Sequence, residues 1–157
     1  TYSYTPIRAS LYGADGSLEL GADYLLGLTL RGALVRQVDA ESGDHLSGTP
    51  SDRLHTGLRV RPPGFWVLRD VELGVSAELV AKQSRTDVLA DFSPPPDGYM
   101  LLGLQANTRI KMPMRSLRFG VQATNLLNTT YRDYTSLLRY YADQPGLDIR
   151  VRLATDL

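Results

Sequence analysis

The segment Leu147-Asp148-Ile149-Arg150-Val151-Arg152-Leu153-Ala154-Thr155-Asp156-Leu157 alternates between apolar or near-apolar residues and mostly polar ones along its length. Side chains of a β-strand point alternately to opposite faces, so this period of two predicts a strand with one apolar and one polar face. A water-soluble sandwich could use such a strand. A membrane barrel uses it with the apolar face turned outward to lipid.

The same alternation recurs upstream and predicts an all-β chain of about seven strands. Their approximate bounds are residues 4–20, 24–39, 53–61, 66–83, 99–110, 117–125 and 147–157. Within the first strand, Gly13 and Gly16 are predicted bulge positions. As an alternative, the first strand is a hairpin that turns at Ala14-Asp15-Gly16, which would give eight strands and a small complete barrel.

The alternation also assigns side chains to faces. Leu104 and Val121 are predicted on the outward, apolar face, and their neighbours Gln105 and Gln122 on the inward, polar face. Other residues predicted on the apolar face are Leu26, Leu28, Leu30, Leu34, Leu54, Leu58, Val71, Leu73, Val75, Leu102, Phe119 and Val151. Those predicted on the polar face include His55, Arg59, Glu72, Glu78, Arg150 and Arg152.

The predicted connections alternate in length. Those near residues 21, 62 and 113 are short, whereas those at 40–52, 84–97 and 126–145 are long. Membrane barrels show this asymmetry, with short periplasmic turns and longer extracellular loops. If Leu157 ends in the periplasm, counting back along the strands places all three long loops outside the cell.

Composition narrows the classes of function. The 157 residues include 17 basic and 17 acidic side chains, which gives no support to nucleic-acid binding through phosphate neutralisation. The absence of cysteine removes disulfide frameworks and thiolate metal sites. No apolar run reaches the length of a spanning helix. Because the sequence begins at Thr1 without Met or a signal peptide, we expect a mature or excised piece.

The last third of the chain resembles the carboxyl end of TonB-dependent outer-membrane receptors. The similarity rests on residues 121–134, which contain Asn125-Leu126-Leu127-Asn128-Thr129-Thr130-Tyr131 and match the family's N-L-x-N-x-x-Y motif, and on Pro145-Gly146 before the final strand. Two positions depart from the family pattern. The family usually has Arg-Asn after Pro-Gly and an aromatic last residue, whereas this chain has Leu147-Asp148 and Leu157.

Two upstream segments extend the resemblance over nearly the whole chain, with less specific motifs. Tyr12-Gly13-Ala14-Asp15 is similar to the family's G-x-E strand motif, with Asp in place of Glu. The segment Arg53-Leu54-His55-Thr56-Gly57-Leu58-Arg59 is similar to its R-x-x-x-G-L-x strand.

The resemblance implies that residues 1–157 are the carboxyl-terminal segment of a receptor β-barrel in the bacterial outer membrane, without the plug domain. Seven strands would be a partial antiparallel transmembrane barrel, since plugged transporters have 22 strands. The family takes up a siderophore, haem or metal complex with energy delivered by the TonB complex through the plug. Two alternatives remain open: a complete small outer-membrane barrel with a structural or adhesion role, and a soluble all-β binding module.

The implied partners are outer-membrane lipid, the TonB complex, an unidentified small-molecule ligand and the barrel-assembly machinery. The candidate assembly signal lies in the lipid-facing phase of the final strand and consists of Ile149, Val151, Leu153 and Leu157. Leu157 stands where the family has an aromatic residue, which implies a weaker signal. Arg150 and Arg152 are expected to face inward, where the family's plug would sit.

The sequence does not predict an enzyme or a cofactor, because it contains no Ser/His/Asp set, phosphate-binding loop or HExxH helix. His45, with Asp39, Glu41 and Asp44, could ligate a metal at an extracellular entry site. A solvated loop with an incidental histidine is the favoured interpretation. His55 is predicted to be a polar wall residue rather than a ligand.

Two further groups of residues have predicted roles in the last long loop. Asn125 and Asn128 should lie where the sixth strand leaves the sheet, because Asn tolerates left-handed turns and bonds to nearby backbone. Four tyrosines could bind an aromatic or iron-chelating ligand, although a place in an outer aromatic girdle is favoured for at least some of them. They are Tyr131, Tyr134, Tyr140 and Tyr141.

Overall fold

The computed structural model describes residues 7–22, 25–86, 91, 93–113 and 115–156. Its strands are β1 (Ala9–Ala22), β2 (Leu26–Asp39), β3 (Arg53–Val60), β4 (Leu68–Val80), β5 (Tyr99–Lys111), β6 (Ser116–Thr124) and β7 (Asp148–Asp156). One short 3-10 helix, Leu137–Tyr140, lies between β6 and β7. The prediction of an all-β chain with about seven strands is therefore confirmed within these residues.

The seven strands form one antiparallel sheet in chain order, from β1 at one edge to β7 at the other. Every strand is hydrogen-bonded to its neighbours in sequence, which is the arrangement of consecutive hairpins. In the part of the chain that is described, the sheet is open, because β1 and β7 do not pair with each other.

The connections alternate in length as predicted. Residues 23–25, 61–67 and 112–115 make the short connections, and residues 40–52, 81–98 and 125–147 make the long ones. Successive antiparallel connections lie at opposite ends of the strands, so all three long connections lie at the same end of the sheet.

The long first strand contradicts two predictions. Its register with β2 runs without a shift from Ala9↔Asp39 to Ala22↔Leu26, so there is neither a bulge at Gly13 or Gly16 nor a hairpin at residues 14–16. Close approach of the neighbouring backbone explains the first glycine, since a Cβ at Gly13 would lie 2.7 Å from the carbonyl oxygen of Leu34. No such contact explains Gly16, where a Cβ would meet open space.

A bulge occurs instead in β4, between Arg69 and Glu72, where Asp70 has a positive φ of 50°. The extra residue changes the phase of the strand. As a result Leu68, paired with Ile110, and Leu73, paired with Ala106, lie on the same face although an even number of residues separates them. The uninterrupted alternation predicted through Val71 is therefore wrong at this point.

The two predicted faces are present across the whole sheet. Residues paired in register share a face, and one such row crosses all seven strands as Leu20, Leu28, Leu58, Val75, Leu104, Ala123 and Ile149. We call this side the apolar face. Gln105 and Gln122 are partners on the opposite side, the polar face, so the predicted orientations of both hold.

The buried residues are few and mostly polar. The buried hydrophobic residues among those described are Val80, Ala123 and Tyr134. The buried polar or charged ones are Thr49, Ser51, Gln83, Asn125 and Arg139, all of which lie outside the strands. The described part of the chain contains no helix that is long and apolar enough to cross a membrane.

Candidate functional site

The three long connections meet in one polar assembly, which we call the loop cluster (residues 40–52, 81–86, 91, 93–98 and 125–147). At its centre, the Asp91 carboxylate accepts hydrogen bonds from Arg139 Nη2 at 2.7 and 2.6 Å and from the Tyr140 hydroxyl at 2.7 Å. The Arg139 and Asp91 side chains are only 7% and 2% exposed. A charge pair from two different connections is thus buried in the cluster.

Tyr134 joins the first connection to the other two. Its buried hydroxyl accepts a hydrogen bond from the Gly48 amide at 3.3 Å, shares one with the Thr86 hydroxyl at 2.8 Å and donates to Asp91 at 3.3 Å. The Arg139 guanidinium lies 4.4 Å from the ring centroid of Tyr134, within cation–π range. One tyrosine therefore contacts all three long connections.

A second junction lies around Asp52, at the start of β3. Its carboxylate accepts hydrogen bonds from Arg36 at 2.6 and 3.0 Å and from Arg85 at 2.7 Å. Nearby, the fully buried Gln83 amide donates to the carbonyl oxygens of Thr49 and Pro50 at 2.8 and 3.1 Å. These contacts attach the second long connection to the first.

A third junction attaches the last connection to the polar face. Asp133 accepts hydrogen bonds from Arg53 of β3 and from the Tyr99 hydroxyl of β5. The Tyr131 ring packs on Tyr99 with 4.4 Å between centroids. Asp133 also accepts two hydrogen bonds from Thr135, at 2.9 and 2.6 Å, which fix the turn that follows it.

All three junction carboxylates have lowered pKa values. Burial raises the pKa of Asp91, but the hydrogen bonds from Arg139 and Tyr140 outweigh this effect. Burial likewise opposes, without reversing, the lowering of the Asp133 pKa by hydrogen bonds from Thr135 and Arg53. For Asp52 the hydrogen bond from Arg36 is the largest cause. The cluster is therefore held by ionised carboxylates at neutral pH.

Asn125 and Asn128 have the positions and conformations that were predicted for them. Both follow β6 with positive φ values of 51° and 50°. The side-chain nitrogen of Asn125 donates to the Thr129 and Pro145 carbonyls at 2.9 and 3.3 Å. Its side-chain oxygen accepts a hydrogen bond from the Thr129 backbone amide at 2.8 Å. Asn128 accepts from the Leu147 amide at 3.0 Å. The two asparagines thus hold together the two ends of the last connection.

A close contact with Asn128 explains why a glycine, Gly146, precedes the final strand. A Cβ at this position would collide with the side-chain oxygen of Asn128. The side-chain oxygen of Asn128 can therefore accept the hydrogen bond from the Leu147 backbone amide only if residue 146 has no side chain.

The four tyrosines of the last connection have different environments. Tyr134 and Tyr140 use their hydroxyls inside the loop cluster, and Tyr131 packs on Tyr99. Tyr141 is 85% exposed. A structural role in the loop cluster for Tyr134 and Tyr140 was missed, because their partner Asp91 lies in a segment with no periodic signal and is 43 or more residues away.

The predicted loop candidates for metal binding do not converge. Asp39 uses Oδ1 to accept backbone hydrogen bonds from Glu41 and Ser42 at 2.8 and 3.3 Å. His45 forms an isolated backbone bridge with Val38, and Asp44 accepts a backbone hydrogen bond from Asp39. Over the described ranges, no group of three or more His, Cys, Asp or Glu side chains could hold a metal ion.

The polar face carries the residues that were predicted to lie on it. Its ion pairs include Arg31 with Glu19 at 3.0 Å, Arg53 with Glu78 at 3.5 Å and Arg61 with Glu72 at 2.7 Å. His55 lies between Arg31 and Glu78 in register and lines a shallow depression of about 370 Å³. Arg150 and Arg152 share this face, opposite Gln122 and Gly120. The face is suited to contact with water or with another charged surface.

Three of the four residues in the candidate assembly signal lie in the described part of the chain. Ile149, Val151 and Leu153 pair with Ala123, Val121 and Phe119 on the apolar face, and all three are well exposed. Leu157 lies outside the described residues.

Comparison with known proteins does not assign this chain to a family. No protein-family model matches the chain, and no curated protein matches it. Any assignment of function therefore depends on the two faces of the sheet, the loop cluster and the sequence motifs at the end of the chain.

Proposed function

We propose that this chain is the carboxyl-terminal part of a TonB-dependent receptor barrel in the bacterial outer membrane, where it forms a wall between lipid and a hydrated interior. The observation that carries the proposal is the character of the apolar face. On the described strands, outside the β4 bulge, the one charged residue on this face is Arg36, which pairs with Asp52 next to the long connections.

The apolar face is too large and too exposed for an isolated sheet in water. Leu28, Leu58 and Leu104, from three different strands, are each more than 40% exposed. Soluble monomers rarely expose contiguous apolar patches beyond a few hundred Å². Against hydrocarbon the same side chains are favourable, and strands of 8 to 14 residues suit a bilayer that tilted strands of about 9–11 residues cross.

Two aromatic residues at one of the short connections support the same placement of the sheet against lipid. Phe65 and Trp66 lie between β3 and β4 and are 77% and 82% exposed. Amphipathic rings are favoured at membrane–water interfaces, and aromatic girdles flank the apolar band of barrels. We place the short connections on the periplasmic side and the loop cluster outside the cell, because membrane barrels have short periplasmic turns and longer extracellular loops.

The open edges favour a part of a larger barrel over a complete small one. In hydrocarbon, each unpaired backbone group costs several kcal/mol, so β1 and β7 need strand partners. Further strands of the same receptor would supply them. The motif Asn125-Leu126-Leu127-Asn128 with Pro145-Gly146, and the contacts between its two ends, support the receptor family in particular.

The proposed activity is uptake of a siderophore, haem or metal complex. The ligand would first meet the extracellular loop cluster and then pass along the polar face, with energy from TonB delivered through a plug. The charged and hydrated character of the polar face supports this route. The proposed partners are outer-membrane lipid, the barrel-assembly machinery and the TonB complex.

Paired substitutions to arginine test which face meets lipid. Leu104→Arg and Val121→Arg should each destabilise the assembled protein by about 2–4 kcal/mol, the cost of Arg at the lipid face near the bilayer midplane. The matched controls Gln105→Arg and Gln122→Arg, one residue further along, should be tolerated. Folding of the full-length receptor into lipid vesicles, followed by urea titration, measures the difference.

Two results of this test would contradict the proposal. Equal damage at both pairs would mean that the apolar face does not meet lipid. A stable monomer of the chain in buffer without detergent would favour a soluble all-β binding module instead.

A further inference from the structure

The loop cluster meets the polar face along one register row at the end of the strands nearest the long connections. This row contains Arg53 of β3, Val80 of β4 and Tyr99 of β5. The last connection lies over both outer members, because Tyr131 packs on Tyr99 and Asp133 accepts hydrogen bonds from Arg53 and Tyr99. Val80, between them, is buried. The last connection therefore leans over the polar face at this end.

A depression of about 390 Å³ lies at the boundary between the last connection and the strands. Its lining includes His55, Ser76 and Glu78 from the strands, and Tyr131 and Pro145 from the last connection. Because both parts of the chain form its walls, the position of the last connection relative to the strands sets how widely this depression opens.

Arg53 is shared between two carboxylates, one on the sheet and one on the last connection. Its Nη1 lies 3.5 Å from Glu78 of β4, and its Nη2 donates to Asp133. Asp133 is shared as well, since Oδ2 accepts from Arg53 and Tyr99 whereas Oδ1 accepts from the amide and hydroxyl of Thr135. If the contact between Arg53 and Asp133 opens, each charged group keeps a partner. Neither then has the large cost of a charge buried without one.

The Asp91–Arg139 pair is better suited to stay closed. It joins long connections to each other and is almost fully buried, whereas the Arg53 and Asp133 side chains are 35% and 20% exposed. Separating a buried pair is costly, and a solvent-exposed pair contributes much less. The Arg53–Asp133 contact should therefore open before the connections separate from one another.

The loop cluster has another attachment on the opposite side of the sheet. Arg36, on the apolar face, donates two hydrogen bonds to Asp52 at 2.6 and 3.0 Å, and Arg85 donates a third at 2.7 Å. The cluster is thus held by several hydrogen bonds on one side and by an exchangeable contact on the other, which allows it to turn about the first side.

We propose that the loop cluster is a lid over this end of the polar face and that Arg53 is its latch. In the closed state, which the structure shows, Arg53 contacts both Glu78 and Asp133. In the open state Arg53 keeps Glu78, Asp133 keeps Thr135, and the cluster turns away from the polar face. Control of ligand entry by this lid rests on the proposed function, whereas the movement itself does not.

A distance measurement between two nitroxide labels, by double electron–electron resonance, tests the latch in the full-length receptor assembled in lipid. One label is placed at Leu137, an exposed residue of the last connection, and the other at Leu104 of β5, after any native cysteine has been replaced. Asp133→Asn should raise the ratio of the longer to the shorter distance about tenfold. The asparagine oxygen can still serve Thr135, but its amide group cannot accept the charged hydrogen bond from Arg53.

Glu78→Gln should shift the same ratio in the opposite direction, by about twofold, because Glu78 is one of two partners of Arg53 in the closed state and its remaining one in the open state. The matched control is Glu72→Gln, on the same strand and face but paired with Arg61, which should leave the ratio unchanged. A purely structural role would make both acidic substitutions act in the same direction.

Any of three results would overturn the proposal: a single distance in every variant, no shift with either Asp133→Asn or Glu78→Gln, or shifts of both in the same direction. None of these results bears on the lipid-facing test of Leu104 and Val121, which measures stability without reference to the loops. Failure of the latch and failure of the proposed function are therefore distinguishable.

Discussion

The sheet and the loop cluster differ in which kinds of side chain they expose and which they bury. On the sheet, leucines and valines of the apolar face are exposed, and no described element of the chain covers them. In the described part of the loop cluster, the buried side chains other than Tyr134 are polar or charged, with Arg139 and Asp91 at the centre. A soluble domain normally shows the reverse, with apolar side chains inside and charged ones outside.

The difference indicates that the two regions meet different solvents. Exposed apolar side chains are favourable where the surroundings are hydrocarbon, and we propose that the sheet has such surroundings. The loop cluster must satisfy its polar groups internally where it excludes water, since buried groups without partners are costly. Cross-linking by hydrogen bonds and ion pairs therefore replaces a hydrophobic core in this region.

Among substitutions in the loop cluster, the largest loss of stability is expected at Arg139. Arg139→Ala leaves the Asp91 carboxylate buried without its main partner, and breaking a buried pair in this way costs about 3–5 kcal/mol. Amide hydrogen exchange should show faster opening at Gly48 and across residues 125–147, because Tyr134 and Arg139 share Asp91. Exchange in β5 and β6 should stay slow.

The matched control is Lys82→Ala, since the Lys82–Asp97 pair lies in the same cluster but is exposed to solvent. Exposed pairs contribute little, so exchange should not change. The double variant Arg139→Met with Asp91→Leu should recover most of the loss. If Arg139→Ala and Lys82→Ala behave alike, the buried pair is not what holds the cluster together.

A smaller effect is expected at Asn125. Asn125→Ala removes hydrogen bonds to Thr129 and Pro145 from a buried position and should destabilise the last connection by about 1–3 kcal/mol. Urea titration of the assembled protein measures the change. Thr130→Ala, at an exposed position in the same connection, should have no effect. Equal responses would show that the two ends of the connection are held in another way.

Acidification should act on the loop cluster and leave the sheet intact. The pKa values of Asp52, Asp91 and Asp133 are lowered in the folded protein, so these groups stabilise it above the unfolded value of about 4. The stabilisation is lost as the pH falls below about 4 and through the lower folded values. Near-ultraviolet circular dichroism, which reports on Tyr134 and Tyr140, should change there while far-ultraviolet strand signal persists.

The Asp91→Asn variant provides the control for this pH dependence. Asparagine cannot ionise, so part of the acid-induced change should be absent and the cluster should be weaker already at neutral pH. An unchanged acid response in this variant would show that Asp91 does not contribute to it.

Most of the sheet was predictable, because the period of two is a local property of the sequence. The alternation assigned faces to residues 117–124 and 148–156 that agree with the register of β6 and β7. The bulge at Asp70 was not predictable, since no glycine marks it and it is visible only in the register with β5. The prediction of a bulge at Gly13 was wrong. This glycine allows the close approach of β2, and that approach depends on the fold.

The contacts in the loop cluster were much less predictable. Asn125 and Asn128 were placed correctly, because the conformational preference of Asn is local. The Asp91–Arg139 pair was missed, since it joins two long connections that have no periodic pattern and are 48 residues apart. Arg109, Arg118 and Arg152 likewise become neighbours only through the register of three strands.

Nitroxide scanning of β5 measures whether the apolar face meets lipid. These 157 residues contain no cysteine, so single cysteines from residue 102 to residue 107 can be labelled one by one in the full-length receptor assembled in liposomes, once any cysteine outside them has been replaced. We expect high oxygen accessibility at Leu102, Leu104 and Ala106, and high accessibility to a water-soluble nickel chelate at Gln105 and Asn107. Uniform accessibility along β5, or high oxygen accessibility at Gln105 and Asn107 instead, would show that the apolar face does not meet lipid.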